Sequence, residues 1–152
     1  MAYLYEQSEQ YEDTLKILSK ALEIEPENIK LLYHLGTIYD KMGKFEETIK
    51  AMKRVLELDK ENADALNYIG YSYADRGIKL DEAEDLIEKA MKLKPNDGYI
   101  TDSLGWVYCR KGMIKEAICE LEKAVELTKK FRKIRFEWVP REKNEVADRL
   151  SH

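Results

Sequence analysis

Apolar residues recur at helical spacing through most of this chain. Phe45, Ile49, Met52, Val55 and Leu56 share one face of a helix, and Ala83, Leu86, Ile87, Ala90 and Met91 share the corresponding face of another. That spacing lets an amphipathic helix bury a stripe of side chains. Gly43, Gly77 and Gly112 punctuate the pattern where a first helix would end in a left-handed cap. Pro26 and Pro95 follow second helices, where a stop is wanted. The last two dozen residues break the period. Ile134, Phe136 and Trp138 alternate with Arg135 and Glu137, the pattern of a half-buried strand. Pro140 stops that run, and Asn144 is placed to cap a short helix ending near Leu150.

Three stretches align on one another. Gly36, Gly70 and Gly105 lie 34 and then 35 residues apart; Tyr39, Tyr73 and Tyr108 each follow by three, and the turn glycines by seven. The extra residue of the second unit falls at Ile78–Leu80, in a turn, where an insertion disturbs packing least. Gly36, Gly70 and Gly105 fall mid-helix, where glycine costs about 1 kcal/mol relative to alanine. A close approach of two helices would justify them.

These residues resemble the tetratricopeptide repeat, whose pattern runs Trp/Leu-x2-Leu-Gly-x2-Tyr and then Ala, Phe, Ala and Pro. Thr48 replaces the usual small alanine, and Lys60 and Lys129 stand where proline is common. The resemblance implies an all-α, right-handed solenoid of helical hairpins over residues 1–127. It comprises a truncated unit at 1–27, with a short stub before a helix at about 11–24, and full units at 28–61, 62–96 and 97–128. Residues 128–152 form a separate tail.

The same family geometry implies a concave groove lined by first helices. Its residues here would be Lys30, Tyr33, Thr37, Asp40 and Lys41; then Asp64, Asn67, Tyr71 and Asp75; then Tyr99, Asp102, Trp106 and Arg110. Tyrosine and tryptophan in such a surface bury large area at low entropic cost. The family's carboxylate clamp needs Lys, Asn and Arg at set positions. Tyr33, Thr37, Asn67, Tyr71, Asp102 and Trp106 occupy them, and only Asn67 fits.

Composition narrows the picture. The 152 residues are 37% charged, with three prolines and seven glycines, a profile of helical material. No apolar run is long enough for a membrane span. The start, MAYLYEQSEQYED, has no secretory character, so a cytoplasmic protein is expected. Cys109 and Cys119 offer neither a metal spacing nor a disulfide framework, and read as reduced, mostly buried residues. Residues 1–127 hold 18 Lys/Arg against 26 Asp/Glu, whereas residues 128–152 hold 8 against 4. An acidic body thus carries a basic tail.

The tail resembles the C-terminal end of ribonuclease H. That family leads from a strand through a V-P-R-E-like loop into a helix carrying N-x-x-A-D-x-L. This chain has Val139-Pro140-Arg141-Glu142, then Asn144, Ala147, Asp148 and Leu150. Asp148 would correspond to the last of the family's metal-binding carboxylates. Hybrid cleavage needs several carboxylates converging on two cations, so one vestigial ligand implies no activity in this chain alone. Thr101-Asp102-Ser103 echoes the family's T-D-S strand, but it sits in register as a repeat helix.

The expectation is therefore a non-catalytic scaffold, without cofactor or metal, for a protein or peptide partner. The acidic body argues against nucleic acid. Three outcomes stay open for Ile134, Phe136 and Trp138: pairing with a second copy in a homodimer, packing on the last hairpin, or extension of the preceding helix.

Overall fold

The computed structural model describes residues 2–137. Among them are seven helices and no strand: α1 (Ala2–Ile24), α2 (Ile29–Lys41), α3 (Phe45–Leu58), α4 (Ala63–Arg76), α5 (Leu80–Leu93), α6 (Gly98–Lys111) and α7 (Ile114–Glu137). The helices pair as hairpins α2–α3, α4–α5 and α6–α7, with α1 packed before the first.

Each hairpin opens on a side-chain cap. Asn28, Asn62 and Asp97 accept from the backbone N–H groups of Leu31, Ala65 and Ile100 at 3.1, 3.0 and 3.2 Å, satisfying donors that a helix start leaves orphaned. Asp97 also accepts from Tyr99 at 2.9 Å. These caps repeat with the glycines.

Each hairpin also closes in the same way. Gly43, Gly77 and Gly112 adopt φ of 72°, 67° and 76°. The next residue, Lys44, Ile78 or Met113, donates its N–H to the carbonyl of Tyr39, Tyr73 or Tyr108 at 2.8 to 3.0 Å. This six-to-one bond satisfies a terminal carbonyl. The extra residue of the α4–α5 turn is absorbed by Lys79, the one non-glycine with positive φ (47°) among the described residues.

Between paired helices the spacing leaves no room for a side chain at two glycines. A Cβ on Gly36 would stand 2.7 Å from Met52 Cε, and one on Gly70 would stand 2.6 Å from Ile87 Cγ1 and 2.9 Å from the Ala83 carbonyl. Met52, Val55, Ile69, Ile87, Ile100 and Val107 are fully buried along this seam, each stabilising the array by about 2 kcal/mol. Phe45, Leu56, Leu86 and Met91 pack against that core half-buried. Thr48 fills the alanine position by turning its hydroxyl onto the Lys44 carbonyl at 2.9 Å, so burial leaves nothing unpaired.

Three expectations are corrected. No stub precedes the first helix: α1 is continuous from Ala2, because no glycine or proline interrupts residues 2–24. The strand proposed for Ile134 and Phe136 is instead the end of α7, which extends unbroken to Glu137. Between Gly112 and Pro140 there is no breaker, Lys, Arg and Glu favour helix, and a lone strand would leave its ladder unpaired. Trp138 and the short helix near 144–150 lie outside the described residues. Finally, Cys109 and Cys119 are exposed, not buried, since the inward face of their helices is taken by residues such as Val107 and Ala124.

Candidate binding groove

A cavity of about 510 Å³ crosses the first helices diagonally. It starts at the end of α2 with Asp40 and Gly43, reaches Phe45 on α3, and runs along α4 through Asn67, Tyr68, Tyr71, Ser72, Asp75 and Arg76. It ends at the beginning of α6 with Tyr99, Asp102 and Ser103. Successive hairpins are rotated relative to one another, so equivalent positions do not line up across the groove.

Of the residues expected from sequence, the cavity gathers Asn67, Tyr71, Tyr99 and Asp102, with Asp40 and Asp75. It does not gather Lys30 or Lys41, both exposed, nor Tyr33, Thr37, Trp106 or Arg110. Each of the last four has another engagement. Tyr33 packs edge-on against Tyr68, ring centroids 5.9 Å apart. The Thr37 hydroxyl donates to the His34 carbonyl at 2.7 Å. Arg110 stacks at 5.9 Å over Trp106 and donates from Nε to the Ala74 carbonyl at 3.1 Å, near the end of α4. Asp64 is likewise drawn off by Lys94, at 2.8 Å.

Sequence reasoning missed Tyr68, Ser72, Arg76 and Ser103. Ser72 and Ser103 are buried and donate to the carbonyls of Tyr68 and Tyr99, one turn back. Tyr68 lies beside the expected position Asn67, and its hydroxyl donates to Asp40 Oδ2 at 2.8 Å, joining α4 to α2. The signal that could have found it was a second aromatic, beside Tyr71, on a helix already carrying a groove.

Charge in the cavity is one-sided. Asp40, Asp75 and Asp102 face it from α2, α4 and α6, against the single guanidinium of Arg76, which lies 4.0 Å over the Phe45 ring. The Tyr71 hydroxyl is held above the ordinary phenol value, first by burial and then by the carboxylates of Asp75, Asp102 and Asp40. Burial and the bond to Asp40 push the Tyr68 phenol up further. The Asn67 side-chain carbonyl is buried with no hydrogen-bond partner among the described residues. Tyr71 is 43% exposed and Tyr99 85%.

Thr101, Asp102 and Ser103, the T-D-S triplet, are consecutive residues of helical α6, with Thr101 donating to the Asp97 carbonyl at 2.9 Å. No group of three or more metal-binding side chains is found among the described residues, and no helix there is long and apolar enough to cross a membrane.

A family model described as tetratricopeptide repeat matches residues 5–67. The TPR repeat-containing protein PA4667 of Pseudomonas aeruginosa is 34% identical over 119 residues, or 78% of this chain and 20% of that protein. Residues 5–67 are similar to tetratricopeptide repeats. The chain thus spans about a fifth of the length of the curated relative it matches. The solved structure MamA MSR-1 C2 shares 25% identity at a TM-score of 0.66, covering 83% of this chain and 72% of that one. MamA AMB-1 P212121 shares 27% at 0.64, covering 76% and 68%. A second family model, described as reverse transcriptase-like, matches residues 105–152. That match begins within α6 and includes the V-P-R-E and N-x-x-A-D-x-L segments. Hairpin α6–α7 and the reverse transcriptase-like match therefore overlap in sequence.

Proposed function

We propose that this chain is a non-catalytic scaffold holding a protein or extended peptide against α2, α4 and α6. The observation that carries this reading is the cavity lined by Asp40 of α2, Asn67 and Tyr71 of α4, and Tyr99 and Asp102 of α6. Its volume suits an anchoring side chain with its flanking backbone, and exposed tyrosines are favourable anchors. Lys30, Tyr33, Thr37, Lys41, Trp106 and Arg110 lie on the same helices and would flank a longer ligand. The test is a Tyr71→Ala plus Tyr99→Ala variant, which should keep its helical spectrum and lose the partners that the parent captures. An unchanged capture profile would remove the groove assignment.

A second reading is favoured by the reverse transcriptase-like match. In it the C-terminal segment is a piece of a ribonuclease H-type nuclease joined to the array, inactive in this chain alone, with Asp148 a vestigial ligand. Hydrolysis of an RNA–DNA hybrid with Mg2+ or Mn2+, abolished by Asp148→Asn, would make the chain an enzyme after all. In a separate third reading the chain is a self-associating structural module, with Ile134, Phe136 and Trp138 as the contact between two copies. That contact is measurable as a loss of concentration-dependent sedimentation when the chain ends at Leu127.

A further inference from the structure

The polarity of the cavity says what kind of group it accepts. Three helices each contribute a carboxylate, and Asp75 and Asp102 enter no ion pair among the described residues. Asp40 is held in place by the Tyr68 hydroxyl and keeps its second oxygen free of any hydrogen bond among the described residues. The cation that lines the cavity, Arg76, is occupied with the Phe45 ring. Tyr71 lines the same cavity as all three carboxylates, and each acts on its hydroxyl, so negative charge and an aromatic ring share one cavity.

The Asn67 carbonyl adds an independent demand. A buried acceptor without a donor is unfavourable, and turning the Asn67 amide toward the cavity it lines lets a ligand N–H satisfy it. A carboxylate ligand would instead bring more acceptors into a negatively charged cavity. Aromatic faces favour cations over anions because of the ring quadrupole. All three features point the same way.

Resting on the groove reading above, we infer that the cavity takes a cationic side chain, an arginine or lysine presented by an extended segment of a partner protein. Its guanidinium or ammonium sits between Asp75 and Asp102 over Tyr71, and an N–H of the side chain or of the adjoining backbone donates to Asn67. Arginine is preferred to lysine, because a planar fork can donate to two carboxylates and stack on tyrosine at once.

The experiment is selection of a random dodecapeptide phage library on the full chain, followed by synthesis of the enriched peptides and fluorescence anisotropy titration. Four proteins are compared: the parent, Tyr71→Ala, Asp75→Asn plus Asp102→Asn, and Glu46→Gln plus Glu47→Gln. The last removes two exposed carboxylates of α3 outside the cavity. The expected result is enrichment of one basic position, with affinity falling about tenfold or more in the cavity variants and by less than about twofold in the α3 variant. Replacing the enriched arginine by citrulline, which removes the charge at nearly constant shape, should reproduce the cavity loss. Peptides without a basic position that still need Tyr71 would overturn the cationic inference and leave the groove intact. Basic peptides weakened equally by the α3 variant would reduce the effect to the general acidity of the body. Enriched peptides indifferent to Tyr71→Ala, or no enrichment at all, would remove the groove itself.

Discussion

The second helices of the middle and last hairpins begin alike and end differently. α5 stops after 14 residues, at Leu93, with Lys94 in a non-helical conformation and Pro95 behind it. α7 runs for 24 residues through the equivalent point, where the Thr128 hydroxyl donates to the Ala124 carbonyl one turn back at 2.9 Å and Lys129 stands in place of proline. Register alone therefore does not end a repeat helix. A breaker such as Pro95 suffices but is not required: α3 ends at Leu58 with Lys60 at that position and Asn62 capping the next helix. Residues 130–137 offer neither a breaker nor a capping residue, and helix continues there at little cost. The strand-like alternation beyond residue 131 was overridden because a helix satisfies its own backbone, whereas a strand there would need a partner.

The largest expected effect tests what the two hairpins share. Gly70→Val would press side-chain atoms into Ile87 and the Ala83 carbonyl. It should lower stability by about 3 kcal/mol and the melting temperature by roughly 10 °C, read by circular dichroism. Next, Lys129→Pro restores the missing stop. It should remove about two turns of helical signal beyond residue 125 while the array melts nearly as before; a collapse of the whole melt would mean that α7 holds the array together.

Smaller effects sharpen the comparison. Asn62→Ala and Asp97→Ala remove equivalent caps from the two hairpins, and each should cost about 1 kcal/mol in urea unfolding. Lys79→Gly, confined to the middle hairpin, relieves a left-handed residue and should stabilise by up to about 1 kcal/mol. The smallest effect lies between the hairpins. Lys111 of α6 bonds Asp81 at 2.8 Å and also Glu84, both on α5. Lys111 holds the Asp81 carboxyl below its ordinary value. That contribution is complete above the unfolded value and lost as pH falls through the folded one. A Lys111→Met chain should accordingly melt slightly below its parent at neutral pH, and the difference should shrink in acid.

How much of this was legible depended on the range of the interaction. The glycine pairs and tyrosines are local features of a hairpin, so Gly36, Gly70 and the left-handed turns could be placed by counting. The caps at Asn28, Asn62 and Asp97 are equally local, but they rest on single polar side chains that the apolar register does not mark. The groove was readable only in part. A family position names a helix face, but the rotation between hairpins decides which faces meet, and it moved Tyr68 in and Arg110 out. The exposure of Cys109 and Cys119 was hidden for a simpler reason: a small apolar residue carries too little area to force its own burial.

Arg110 has a consequence for how such an array can be recombined. Its guanidinium occupies the space where a Cβ on Gly77 would fall, 2.5 Å from Nη2, and its bond to Ala74 secures the preceding hairpin's helix end. The glycine therefore answers to two hairpins at once, one for the turn and one for the neighbour's arginine. A unit excised at its loops and grafted elsewhere would carry only half of that arrangement. Modules of this kind are interchangeable as pairs sharing a boundary rather than as single repeats, and a library shuffled one repeat at a time would lose the joint most often at this seam.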